Sequence, residues 1–361
     1  MVTLIHASNF TTLFRISLLA AALLVHSSNS QAVEPEKELS GWSFYFDNDF
    51  FTAGDRDNDY TGGIALKLAG TSVKSNFLSV DSWLESIDRL SGFTRSFDDK
   101  TSFKTHAMEY GVTLFTPVDI SASSPVSDQH PYASLLFVSN TQMVVVPEEF
   151  LSYQSTLTVG FLGLPVAGEL QKTMHELFGA DSPNGWANQI SAGGEPTFRY
   201  SISRSRNYIF SREGPRIFEL KTSSEANIGF ATDVGISFSL RWGTIQTPWW
   251  TFNPHNAEYI SLGSPVATVT QDNITESYLW LGMSLKYRFY NAFLEGQFRD
   301  SVVTYDRDDL DPFIKEMWLG YTYEFQQHWQ LSVFIRARNH EIDLPTVRDP
   351  VWGGFIISQS F

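Results

Sequence analysis

The chain of 361 residues contains no cysteine, so disulfide frameworks, thiolate metal sites and cysteine nucleophiles are excluded. After residue 32 no stretch approaches the run of about 20 apolar residues that a spanning helix needs, which excludes a helical membrane protein. Basic residues are scarce as well: beyond residue 32 there are 24 Lys and Arg against 40 Asp and Glu, a net charge of −16. That balance is a poor match for nucleic acid. A P-loop, a Rossmann glycine motif, an HExxH helix and a G-x-S-x-G elbow are all missing, so nucleotide, zinc-protease and serine-hydrolase readings have no support. No repeat, low-complexity tract or linker divides the chain.

The N-terminus carries an export pattern. MVTLIHASNFTTLFR is a weakly basic leader, ISLLAAALLV an apolar core too short to span a bilayer, and Ser30-Gln31-Ala32 a small-residue cleavage site. Residues 1–32 read as a signal peptide and 33–361 as one exported domain.

Aromatics make up 15% of the chain, and many recur at alternate positions. Leu281, Met283, Leu285 and Tyr287 alternate with Gly282, Ser284, Lys286 and Arg288. Met317, Leu319, Tyr321 and Tyr323 alternate with Trp318, Gly320, Thr322 and Glu324. A soluble sandwich turns such an apolar face inward, whereas a membrane barrel turns it outward to lipid. Three features favour the barrel: the apolar faces end in Trp and Tyr, the opposite faces carry Gly, Ser and charge, and the chain ends in the strand WGGFIISQSF. Gln359 is out of place on the outward face of that strand.

Twelve strands are expected, near 42–48, 60–70, 105–115, 132–145, 151–163, 196–210, 216–228, 232–243, 277–290, 313–325, 328–340 and 352–361. Ala292 to Phe298 is an alternative short strand. The fold class is thus all-β, an antiparallel transmembrane β-barrel. The tight connection at Gln326-Gln327 is expected on the periplasmic side, and the long ones (71–103, 116–131, 164–195, 244–276, 291–312) on the extracellular side.

One stretch, Leu164 to Trp186, reads as a helix. Pro165 suits its first turn and Gly179 its stop, while Leu170, Met174, Leu177 and Phe178 make one apolar stripe. Gln171 and His175, four apart, sit together beside that stripe, with Asp181 six residues on. A helical His is often just a packing contact, yet His is the natural general base near neutral pH. At the end of the first strand, Asp47-Asn48-Asp49 can ligand a hard cation, orient water or simply form a loop-entry turn. Asp55, Asp57 and Asp59 suggest an EF-hand, but Tyr60 and Leu66 stand where its glycine and glutamate belong. Thr61 is expected to face the lumen and offer a hydroxyl. His255, His328 and His340 show no ligand spacing and read as surface residues.

These pieces occur in a recognisable order: FDNDFF, NDYTGG, EYGVTLFTPVDI, HPYAS, then VGFLGLPVAGELQKTMHELFGADSPNGWANQI and a terminal barrel strand. The mature chain resembles the outer-membrane lipid A 3′-O-deacylases of the LpxR type, most specifically in the Q-x-x-x-H helix with Gly185-Trp186 and Gln189 downstream. The resemblance implies a twelve-stranded barrel and cleavage of the ester holding the 3′ acyloxyacyl chain of lipid A, with calcium as cofactor. By motif, Asn48 and Asp49 match the family's N-D pair, Thr61 its strand-2 hydroxyl, and Gln171 and His175 the helix pair. Asp181 falls where a glutamate is found. The implied roles are His175 as base, Gln171, Asn48 and Thr61 as further site groups, Asp49 beside the cation, and Asp181 either adding negative charge for the cation or holding the histidine tautomer. Two departures stand out. Ala122 lies nearest a family lysine, and the family's D-R-P-Y-A-G appears as Asp128-Gln129-His130-Pro131-Tyr132-Ala133-Ser134, without the arginine. Lipopolysaccharide is the expected substrate and the outer leaflet the expected location. A phospholipase barrel and a non-enzymatic structural or pore-forming barrel are the rival readings.

Overall fold

The computed structural model describes residues 36–52, 59–93, 97, 101–178, 181–209, 216–256, 275–326 and 328–361. The expected signal peptide, Asp55, Asp57, Gly179 and Gln327 lie outside the described residues. The strands are β1 (Gly41–Asn48), β2 (Asp59–Ala69), β3 (Phe103–Thr116), β4 (Ala133–Val146), β5 (Leu151–Leu162), β6 (Glu195–Ile209), β7 (Arg216–Gly229), β8 (Ala231–Ile245), β9 (Ser277–Asn291), β10 (Phe313–Gln326), β11 (Trp329–Arg338) and β12 (Val351–Ser360). Each pairs antiparallel with its neighbours in sequence, and β12 closes on β1 from Gly41↔Ser360 to Asn48↔Gly353. Closure leaves no unpaired edge, which is what a sheet in hydrocarbon requires.

Alternation decides what faces where. Leu281, Met283 and Leu285 on β9, and Met317 and Leu319 on β10, are exposed on the outer wall. Ser284, Lys286, Arg288 and Trp318 are buried inside. Gln359 is outward as expected, but it is not isolated. It lies between Trp42 and Trp329 in register and accepts from Trp42 Nε1 at 3.1 Å, so its amide satisfies a girdle indole.

Charged side chains occupy the interior. Buried ion pairs cross it: Lys67–Glu109 at 3.3 Å, Lys286–Glu225 at 2.8 Å, and Arg288 between Asp233 (3.2 Å) and Glu341 (2.9 Å). At the end far from the termini, Tyr60, Phe115, Phe230, Phe293 and Trp352 form an aromatic layer. At the terminal end, the segment after β8 folds into the lumen. Lys221 Nζ donates to the Trp249 carbonyl (2.8 Å) and Asn253 Oδ1 (3.0 Å), and Arg336 donates to the Pro254 carbonyl (2.7 Å). His255 travels with that segment and is buried beside Ser205, not on the surface as its sequence context suggests.

Because the strands alternate in direction, connections alternate between the two ends. Those after β1, β3, β5, β7, β9 and β11 lie at the far end, and those after β2, β4, β6, β8 and β10 share the end of the termini. The long connections around 71–103 and 244–276 therefore lie at the terminal end, contrary to the expectation from length. Length says how much chain there is; strand parity says on which side it sits. Three α-helices occur among the described residues: α1 (Asp81–Ser91), α2 (Val166–Phe178) and the single turn α3 (Ala292–Glu295). The last replaces the alternative strand at Ala292: Asn291 Oδ1 caps it through Phe293 N (3.1 Å) and Gly296, at φ +72°, ends it.

Candidate active site

Asn48, Asp49, Thr61 and α2 all belong to the far end. Asn48 closes β1, and its Oδ1 accepts from Phe50 N at 2.8 Å, capping the 3-10 turn Asp49–Phe51. The Asp49 carbonyl takes Thr52 N (3.0 Å) and Thr52 Oγ1 (2.7 Å), while the residue itself is buried. Gly62 stands opposite Asn48 in register. Its φ is +153°, and a Cβ there would come within 2.5 Å of the Asp47 carbonyl and 2.9 Å of Asn48 Nδ2. Only glycine leaves room for the Asn48 amide.

A bulge between Tyr60 and Gly62 breaks the alternation of β2. Tyr60 turns inward, its hydroxyl donating to Asp47 Oδ1 at 2.6 Å and its ring on Phe115 and Trp352. The expectation that Thr61 faces the lumen rests on unbroken alternation, which does not hold at this residue. Its hydroxyl is instead paired with Thr116 Oγ1 at 2.6 Å, and both are buried. The triplet Asp47-Asn48-Asp49 is also divided: Asp47 belongs to the interior with Tyr60, and Asn48 and Asp49 to the turn.

The second half is α2. Pro165 supplies carbonyl acceptors to Gly168 N (3.1 Å) and Glu169 N (3.4 Å), which opens the helix. The inward side is Ala167 and Gln171, with Leu170, Met174 and His175 half-buried. The side chains of Leu177 and Phe178 lie outside the described residues. Gln171 is therefore not on a flank of the packed face, as the apolar stripe suggested, but at its centre.

Its amide is oriented by chemistry. Gln171 Oε1 accepts from Trp186 Nε1 at 2.8 Å, and an indole N–H can only donate. The nitrogen Nε2 is thereby left as a buried donor, without a partner among the described residues. Such a group costs about 1–3 kcal/mol unless something binds to it. His175 is fixed in the same way: Nδ1 lies 2.6 Å from the backbone carbonyl of Asp181, so Nδ1 carries the proton and Nε2 the lone pair. Asp181 acts here through its carbonyl, and its side chain is exposed.

Two glycines make the slot for Trp186. A Cβ on Gly168 would lie 2.8 Å from the indole Cγ, and one on Gly185 would lie 2.3 Å from Tyr132 Cε2. Tyr132 packs on Trp186 with centroids 4.9 Å apart. Gln189 accepts from Ser134 Oγ (2.8 Å), and Asn184 N and the Tyr132 hydroxyl both donate to the Ile120 carbonyl (2.8 and 2.9 Å). The loop after β3 thus ties α2 back to Thr116 and so to Thr61. Trp186, Tyr132 and Gly168 had no assigned role in the sequence. The available signal was a glycine inside an otherwise good helix, placed to admit an aromatic ring.

The two departures from the family pattern resolve differently. His130 stacks on Phe115 (5.1 Å, 11°) and donates Nδ1–H to the Pro131 carbonyl (2.7 Å), so it is part of the aromatic layer. At Ala122 there is no basic side chain; its carbonyl lies against Gly185.

The residues that could hold a cation offer hard oxygen: the buried Asp49 carboxylate, neighbouring hydroxyl and amide oxygens, and backbone carbonyls. Among the described residues no three His, Cys, Asp or Glu converge on a metal-sized site. That donor set suits a calcium ion completed by carbonyls and water, and not a zinc ion.

A model of the family "Outer membrane protein LpxR" matches residues 15–361. The chain belongs to the LpxR family. Its fold is similar to LpxR from Salmonella typhimurium (TM-score 0.67, 17% identity, covering 89% of this chain and 100% of that one). It also has a looser likeness to the β domain of the Bordetella autotransporter BrkA (TM-score 0.42, 10% identity, 90% and 100% covered). Another such likeness is to the translocator domain of NalP from Neisseria meningitidis (TM-score 0.41, 7% identity, 97% and 96% covered). No curated protein sequence matches the chain. This LpxR-family barrel is accordingly a protein of the bacterial outer membrane.

Proposed function

We propose that this LpxR-family barrel is an esterase that removes the 3′-O-linked acyloxyacyl chain of lipid A. The observation that carries the reading is the pair on α2: a histidine whose Nε2 is fixed as the basic nitrogen, four residues from a buried amide N–H with no partner among the described residues. The far end faces the cell exterior, so the site meets lipid A in the outer leaflet while the acyl chains stay in the bilayer.

His175 Nε2 takes a proton from water, and the resulting hydroxide attacks the ester carbonyl carbon. The carbonyl becomes an oxyanion, for which Gln171 Nε2 is the preorganised donor. Collapse of the tetrahedral centre breaks the bond to the 3′ oxygen. His175 returns its proton to that oxygen, giving the free 3′-hydroxyl and a fatty acid. Asn48 is positioned by its cap to orient water or the acyl oxygen, and the Thr61–Thr116 pair supports that wall. Asp49 would hold calcium, whose chemistry when bound is Lewis-acid polarisation of the ester carbonyl.

The pore reading has no support from the ends of the lumen, which are occupied by aromatic side chains and by the segment after β8. The deciding experiment is mass spectrometry of lipid A from cells with and without the protein. Loss of one 3′ acyloxyacyl group, abolished by His175→Ala, is the expected result. Release of fatty acid from phospholipid, or no lipid change, overturns it.

A further inference from the structure

Helix α1, in the connection between β2 and β3, takes no part in the proposed reaction. It lies on the outside of the barrel wall. Leu136, Phe161 and Phe198 are exposed on the outward faces of β4, β5 and β6, and Asn140, Ser155 and Tyr200 share their parity. Yet Asn140 and Ser155 are fully buried, because α1 covers them. Asn140 Oδ1 accepts from Val80 N (2.8 Å), and Asp88 accepts from Ser155 Oγ (2.7 Å) and from the Tyr200 hydroxyl (2.8 Å).

The helix follows the line where the wall changes from apolar to polar. On β6 the outward residues run Phe198, Tyr200, Ile202 and then Arg204 and Arg206 towards the terminal end. Both arginines are exposed, and their guanidinium groups lie over Tyr153 (6.0 Å) and Tyr208 (5.7 Å). At 3.6 residues per turn α1 has three sides. Leu84 and Asp88 face the barrel and are buried. Trp83, Ile87 and Leu90 form the next stripe, with Trp83 61% and Leu90 88% exposed. Ser82, Glu85, Ser86 and Arg89 make up the third side, where Lys74 pairs with Glu85 at 3.0 Å. Phe77, 90% exposed, extends the apolar stripe in the turn before the helix.

An apolar stripe of this kind, wedged between a wall and a charged face, is the pattern of a helix lying in a membrane interface. We propose that α1 lies in the plane of the outer membrane's periplasmic leaflet, with phospholipid as its occupant. Trp83, Leu90 and Phe77 enter the acyl region, continuous with the lipid-facing Phe198 and Ile202 of β6. The exposed Arg204 and Arg206 meet phospholipid phosphates, and the Ser82–Arg89 side faces the periplasm. The helix also shields Asn140 and Ser155, which would otherwise face hydrocarbon at a cost.

The absence of cysteine makes the test direct. Single-cysteine variants Trp83→Cys, Leu90→Cys and Ser82→Cys of the full barrel are nitroxide-labelled and reconstituted in phosphatidylethanolamine/phosphatidylglycerol vesicles. Heat-modifiable gel mobility confirms that each barrel is folded, and the two apolar positions serve as independent replicas. Oxygen, which partitions into lipid, should collide with labels at 83 and 90 several-fold more than at 82, and a water-soluble nickel chelate should show the reverse. Access of the nickel chelate to 83 and 90 overturns the proposal. So does exclusion of both reagents there, which would mean that a protein surface covers the stripe.

Discussion

Trp186 Nε1 donates to Gln171 Oε1 at 2.8 Å, and this one contact decides which end of a buried amide is free to act. Without it the amide could rotate and present oxygen where a donor is needed. Trp186→Phe keeps a ring in the slot between Gly168 and Tyr132 but removes the N–H. Deacylation kinetics should show kcat falling about tenfold, the scale of an interaction of about 1.4 kcal/mol, with KM little changed. Gln171→Ala should cost more, about 100-fold or above, as loss of an oxyanion donor does. A rise in KM alone would assign Trp186 to substrate binding.

Gly62→Ala is a test of backbone geometry. The added methyl would meet the Asp47 carbonyl at 2.5 Å at a φ of +153°. The expected loss is about 1–3 kcal/mol, read as a lower midpoint in urea unfolding from vesicles, together with reduced activity as Asn48 shifts.

Removal of divalent cations addresses the hard-oxygen donors around Asp49. A calcium chelator should abolish deacylation, and added calcium should restore it. Asp49→Asn, which removes the one buried carboxylate of the turn, should raise the calcium concentration needed for half-maximal rate.

Asp88 gives a pH dependence with a definite sign. Burial against the barrel wall pushes its carboxyl above the ordinary value of 3.8, more than the hydrogen bonds from Ser155 and Tyr200 lower it. The folded state therefore holds the proton more tightly than the unfolded chain. The linked stability is fully present below the ordinary carboxylate value and is lost as pH rises through the raised one. Docking of α1, followed by limited proteolysis between its flanking strands, should tighten on mild acidification, and Asp88→Asn should flatten that dependence.

The segment folded into the lumen predicts electrical silence. In planar bilayers the folded protein should show no steady conductance of porin size, because Lys221 and Arg336 hold the segment from Trp249 to Pro254 inside the lumen.

Much of this was readable from residue order alone. Period-2 alternation depends only on local backbone geometry, so the twelve strands and their lipid-facing sides could be assigned from the chain. The helix from Val166 and the pairing of Gln171 with His175 at one turn's spacing are local in the same sense. What lay beyond reach depended on closure and on contacts between distant segments. Which connections share an end follows only once all strands are counted in sequence, which moved α1 and the lumen segment to the terminal side. The bulge that frees Thr61 from alternation needs the partner strand β3. The placement of Gln171 at the centre of the packed face needs Trp186, 15 residues away and in another element. Alternation and helical spacing are properties of a chain segment by itself, whereas the orientation of an amide or the burial of His255 is set by whatever the fold brings against it.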